Sequence, residues 1–167
     1  MNEGVFSINN ENERIELSDK KKYKICSFSG LEALKSQLMW GHYAAAGMGV
    51  AIEVDVDEST VEKISYTNSF ENLNTVRDML THKSTEWCYE HEYRYLSASL
   101  SDTTIKLGKI TKIYFGTPYK GLSNYGEIKT KHEKLNSYMC FQRKLKDHCE
   151  RRSIRCEDYN FVASSFD

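Results

Sequence analysis

The segment Trp87-Cys88-Tyr89-Glu90-His91-Glu92-Tyr93-Arg94-Tyr95 constrains this chain more than any other. Every odd position is an aromatic ring or an imidazole. The even positions carry Cys88, Glu90, Glu92 and Arg94. A period of two is the side-chain period of a strand, and a helix would scatter these residues around its axis. The pattern predicts one strand over the whole segment. Its aromatic face is expected to be buried against a helix, and its polar face to look onto solvent or a cleft.

The flanking sequence supplies the partners. Tyr23–Phe28 reads as a strand, and Ser29 offers an N-cap for a helix running to about Ala46, with Leu31, Leu34 and Leu38 at helical spacing. Gly47 and Gly49 end it. Val50–Val56 alternates cleanly as a half-buried strand, and Val61–Tyr66 reads as another. Phe70, Leu73, Val76, Met79 and Leu80 predict a helix over about 69–85. Ile105–Leu107 and Lys109–Phe115 are expected strands separated at Gly108, and Pro118, the sole proline, breaks the chain after Gly116. Residues 124–152 are charged with intermittent apolar positions, the pattern of one long amphipathic helix or two shorter ones. Arg155–Val162 alternates as a last strand, and a short strand is possible at Gly4–Ile8. Six or seven strands with about three irregularly interspersed helices predict an α+β fold with a mostly antiparallel sheet. At 167 residues the chain suits a single globular domain, 1–167.

Net charge is −1, with 40% apolar and 28% charged residues. That balance suits a folded protein and argues against electrostatic nucleic-acid binding, which goes with a basic excess. No apolar run reaches the roughly 20 residues of a membrane helix, and the first residues are polar and acidic, unlike a signal peptide. The expectation is a cytoplasmic protein without a membrane partner. Of five cysteines, none forms a pair at two-residue spacing. Cys149, Cys156 and His148 could belong to a metal site, but four ligands at recognisable spacing are absent, so free thiols are the stronger reading and no metal is expected.

Three places could carry chemistry. On a strand, Glu90 and Glu92 would sit roughly 6.5–7 Å apart on one face. Carboxylates at that spacing repel and raise one pKa, which suits a general acid or base, and Arg94 could hold a phosphate or carboxylate. The plain alternative is a solvated face laced with ion pairs. The second place is Cys26-Ser27-Phe28-Ser29, a strand end before a helix N-terminus, where backbone N–H groups can meet an anion; a strand end with an N-cap explains it equally. The third is Met39-Trp40-Gly41-His42-Tyr43, where Trp40 and Tyr43 share a helix face. His42 reads as a surface residue, and Trp40 beside Leu38 and Met39 also fits a core position. Gly47-Met48-Gly49 lacks the spacing of a dinucleotide fingerprint.

Taken in order, the strand end at Cys26–Ser29, Met39-Trp40-Gly41-His42-Tyr43-Ala44, Gly49–Val54, Lys83, Trp87, Tyr89-Glu90-x-Glu92-Tyr93-Arg94 and Ile113–Gly116 resemble the bacterial and phage-associated domain family of unknown function numbered two-nine-seven-one. The resemblance covers about residues 23–120 and implies a protein of the mobile-element type. Members of that family begin with a further Tyr-rich strand and helix ending near Asn-Asp-Pro-x-Glu, about where Met1-Asn2-Glu3-Gly4 stands here. The resemblance therefore implies a shortened version, with any site completed by that segment left incomplete.

A second, weaker resemblance is to ADP-ribosyltransferases, which place a Ser at a strand end and a Glu-x-Glu on a later strand. Ser27 or Ser29 and Glu90-His91-Glu92 stand in that order; the first-strand Arg or His has no clear match, Arg14 being a poor one. This resemblance implies an NAD- or nucleotide-handling transferase or glycohydrolase. Glu92, Glu90 and Ser27 would be catalytic, Arg94, Ser29, Trp40 and Tyr43 would bind ligand, and NAD would be the cofactor or substrate. The rival expectation is a non-catalytic, homo-oligomeric interaction protein with a Tyr-rich binding surface.

Overall fold

A computed structural model describes residues 22–69, 73, 75–98, 106–118 and 133–159. The expected strand at Gly4–Ile8, Arg14, the helix start at Phe70, the strand start at Ile105, the helix portion 124–132 and the strand end beyond Tyr159 lie outside these residues. The described elements run β1 (Lys24–Ser29), a 3-10 turn (Leu31–Lys35), α1 (Gln37–Tyr43), β2 (Val50–Val56), β3 (Glu62–Lys63), β4 (Ser65–Tyr66), α2 (Val76–Thr81), β5 (His82–Lys83), a 3-10 helix (Thr85–Glu90), β6 (Glu92–Ser97), β7 (Gly108–Gly116), α3 (Glu133–Arg151) and β8 (Arg155–Tyr159). The fold is α+β. Among the described residues the strands form three small sheets rather than one. No described helix is long and apolar enough to cross a membrane.

The chain divides into two compact units, Met1–Gly30 with Glu58–Lys106, and Leu31–Asp57 with Leu107–Asp167. In the first unit, β6 is the central strand of an antiparallel β1-β6-β3 sheet, with Ser27 opposite Arg94, Ser29 opposite Glu92 and Glu62 opposite Arg94. The expected strand Val61–Tyr66 is two pieces, β3 and β4, in different sheets. They part at Ile64, a buried residue whose N–H donates to the Glu92 carbonyl at 2.9 Å. Beyond it β4 pairs in parallel with β5, setting Tyr66 beside Lys83. Helix α2 begins at Val76, because Thr75 and Asp78 form a reciprocal capping box.

The aromatic segment corrects the strand prediction. Only its second half is strand. Ser84 accepts from the Glu86 N–H and starts a 3-10 helix over Thr85–Glu90; His91, at φ 46°, ends it in the left-handed region. The His91 carbonyl accepts from Gly30 N–H at 2.8 Å, anchoring this reversal to the end of β1. A period of two in sequence was thus shared between a 3-10 turn and a strand. The burial is inverted as well: Glu90 and Glu92 are each 4% exposed, while Tyr93 and Tyr95 stay half-buried.

In the second unit, β2 and β7 are antiparallel, with a bulge between Glu53 and Val54 that leaves Thr111 as the extra residue. β7 and β8 are parallel, so their connection is a crossover, and α3 lies in it. Ile113, Phe115 and Cys149 form the core here, with Val50, Leu145 and Ile154 packed on it. Gly116 closes β7. A Cβ there would stand 1.9 Å from the Gly47 carbonyl oxygen, so only glycine permits this approach. Its carbonyl accepts from Tyr138 Oη at 2.6 Å and Gln142 Nε2 at 3.1 Å, which ties α3 to the strand end.

The helix expected from Ser29 starts later. Ser29 is the last residue of β1, and Ser36 is the N-cap, accepting from Met39 N–H at 3.4 Å. Helix α1 ends in three successive left-handed residues, Ala45, Ala46 and Gly47.

Candidate functional site

The reversal at His91 brings Glu90 and Glu92 together. A strand would have set them on one face at a repeat distance; the 3-10 turn followed by a left-handed residue aims both at one cation. Lys83 Nζ lies 2.6 Å from Glu90 Oε2 and 3.5 Å from Glu92 Oε2. Arg94 grips the other side of Glu92, with Nε 2.7 Å from Oε1 and Nη2 3.0 Å from Oε2. Its remaining nitrogen, Nη1, donates to the Leu80 carbonyl at 2.6 Å. The Glu92 backbone N–H donates to Tyr66 Oη at 2.8 Å, and Lys83 Nζ sits 4.7 Å from the centre of the Trp87 ring. Two carboxylates and two cations thus neutralise one another away from bulk water.

The electrostatics follow from that geometry. Burial works against an ionised Glu92, but it is outweighed by hydrogen bonds from Arg94 and Ser27 and by the charges of Arg94 and Lys83. The carboxyl is held below the usual glutamate value. Carboxylate repulsion does not raise the Glu92 pKa, because each negative charge has its own cation. Burial pushes the Tyr66 phenol up, and the Glu92 and Glu90 charges add to it against the hydrogen bond from the Glu92 backbone. At neutral pH Glu92 is a carboxylate, suited to stabilising positive charge and not to donating a proton.

Of the residues expected at a site, Glu90, Glu92, Arg94 and Ser27 come together. Ser27 stands opposite Arg94 on the adjacent strand β1 and helps to lower the Glu92 pKa. Arg94 is engaged by Glu92 and Leu80 and serves to orient the carboxylate. Ser29 is exposed at the end of β1, directly opposite Glu92 in register. Trp40 and Tyr43 belong to the second unit. Trp40 is 3% exposed, its Nε1–H donates to the Leu34 carbonyl at 2.8 Å, and its ring stacks on Tyr159 at 4.8 Å. Tyr43 is exposed beside His42.

Sequence reasoning gave Lys83 no role and did not single out Tyr66. Neither carried a local signal: β4 and β5 are two residues each, too short for a period to show. In the second unit a further polar group was missed, where Glu53 accepts from Thr111 Oγ1 at 2.7 Å and Tyr114 Oη at 2.8 Å. Those two hydrogen bonds, Thr111 first, lower the Glu53 pKa despite some desolvation, with Lys112 and Arg155 assisting. Among the described residues no group of His, Cys, Asp and Glu is arranged to hold a metal ion. No protein-family model, curated protein or solved structure matches the chain.

Proposed function

We propose that the first unit acts on NAD or a related ribosyl nucleotide as a transferase or glycohydrolase. The observation that carries this reading is a buried Glu92 carboxylate, gripped by Arg94 and Lys83 and kept ionised by its surroundings, with Ser27 opposite Arg94 on the adjacent strand. Cleaving the bond between nicotinamide and ribose develops positive charge on the sugar ring. A fixed carboxylate beside that ring lowers the barrier electrostatically. Glu92 takes this part, Ser27 and Arg94 hold it in place, and Glu90, tied to the same lysine, orients the water or acceptor that receives the ribose. Nicotinamide leaves as the neutral base.

A second reading rests on a different observation. Glu90 and Glu92 are each 4% exposed, and their charges are met inside the protein by Lys83 and Arg94. A cluster satisfied in this way holds an interaction module together without catalysing anything, and on that reading the protein is a homo-oligomeric binder. Incubation with NAD and measurement of released nicotinamide separate the two. The enzyme reading expects release above the buffer background that falls at least tenfold in Ser27→Ala, an exposed position whose loss leaves the fold in place. Wild-type protein that releases none, and sediments as an oligomer, sinks the enzyme reading in favour of the binder.

A further inference from the structure

The end of α3 brings two cysteines, Cys149 and Cys156, to one residue of β7, Ile113. The helix closes on a Schellman motif: Ile154 N–H donates to the Cys149 carbonyl at 2.9 Å and Ser153 N–H to the Glu150 carbonyl at 3.0 Å. Ser153, at φ 55°, makes the left-handed turn, and the chain doubles back as β8. Cys156 then pairs with Ile113 of β7. Ile113 and Cys149 pack in one core cluster, Cys156 Sγ donates to the Ile154 carbonyl at 3.8 Å, and the Cys149 thiol acts electrostatically on that of Cys156. The two differ in access. Cys149 is 1% exposed, whereas Cys156 is exposed and borders an open groove of about 600 Å³, together with Lys146, Glu150 and Asp158.

We infer that Cys149 and Cys156 form a dithiol–disulfide site that closes by exchange with a small disulfide entering this groove. The Cys156 thiolate attacks one sulfur of the small disulfide, forming a mixed disulfide and expelling one small thiolate. The Cys149 thiolate then attacks the Cys156 sulfur, forming the internal bond and expelling the second small thiolate. The two protons lost by the protein thiols end on the two released small thiols, so atoms and electrons balance. The groove also carries Asp147 and Glu157, so an uncharged disulfide enters more readily than an anionic one. Burial, with the Cys149 contact, pushes the Cys156 thiol up, and exchange accelerates toward alkaline pH.

The test treats the reduced protein with 2-hydroxyethyl disulfide and maps the cysteines by peptide mass. Wild-type protein should yield one peptide pair joined through Cys149 and Cys156, lighter by two hydrogens. Cys156→Ser should abolish the joined pair and leave Cys149 as a thiol. Cys149→Ser should stop at the mixed disulfide on Cys156. Should Cys149→Ser not fold, Cys156→Ser at its exposed position still decides the matter. A wild-type protein that stops at the mixed disulfide, or keeps both thiols while Cys26 and Cys88 react, overturns the inference.

Discussion

The hydroxyl of Tyr66 accepts the backbone N–H of Glu92 at 2.8 Å, across 26 residues of sequence. This bond satisfies the first residue of β6 where the chain leaves the left-handed turn at His91. Phenylalanine at position 66 would keep the ring and leave that amide without its partner. Tyr66→Phe should cost about 1–3 kcal/mol in urea unfolding. A loss under about 0.5 kcal/mol would mean that water replaces the phenol without penalty.

Glu92 is the centre of the buried charge cluster. Glu92→Gln removes the carboxylate that Arg94 grips and leaves Lys83 with Glu90, and should destabilise the protein by about 3–5 kcal/mol at neutral pH. The pH dependence has a definite sign. The folded-state pKa is lowered relative to an ordinary glutamate at about 4.3, so the stabilisation is fully present above that value. It is lost as pH falls through the lowered folded-state value. The stability gap between wild type and Glu92→Gln should therefore narrow on acidification below about pH 4. A gap independent of pH over that range would show that Glu92 acts through packing and not through charge.

The α+β class was legible in the sequence, as were β1, β2 and β7, each long enough to display its period. The segment from Trp87 to Tyr95 was legible in composition and misleading in geometry. Its alternation persists through Glu90 because a 3-10 turn and a strand can carry the same residues, and nothing before or after His91 marks a left-handed position. Histidine adopts that region more often than most residues, which is a weak signal at best. The meeting of Glu90, Glu92 and Arg94 was expected, but for a different reason and on the buried side instead of the exposed one. That Lys83 and Tyr66 meet the two glutamates could not be read, since their placement depends on a parallel pairing of two-residue strands.

Trp40 anchors the second unit through both ends of its indole. The N–H is held by the Leu34 carbonyl, and the ring face is stacked on Tyr159 with 25° between planes. Trp40→Ala should cost about 3–5 kcal/mol, measured as a shift in the denaturation midpoint. A midpoint within error of wild type would return Trp40 to the role of a surface ring available to a ligand.

Ser153 occupies the position in the α3 Schellman motif that glycine favours, at φ 55°. A side chain in the left-handed region costs about 1–2 kcal/mol through the clash of Cβ with the following carbonyl. Glycine removes that clash but gives the unfolded chain more freedom, which offsets part of the gain. Ser153→Gly should therefore stabilise the protein by about 0.5–1 kcal/mol. The position is exposed, so no packing is lost to confuse the result. The same substitution leaves Ile154 N–H and its bond to the Cys149 carbonyl in place, so closure of the thiol pair should proceed unchanged. A destabilised Ser153→Gly protein would mean that the serine hydroxyl, and not the turn geometry, holds the end of the helix.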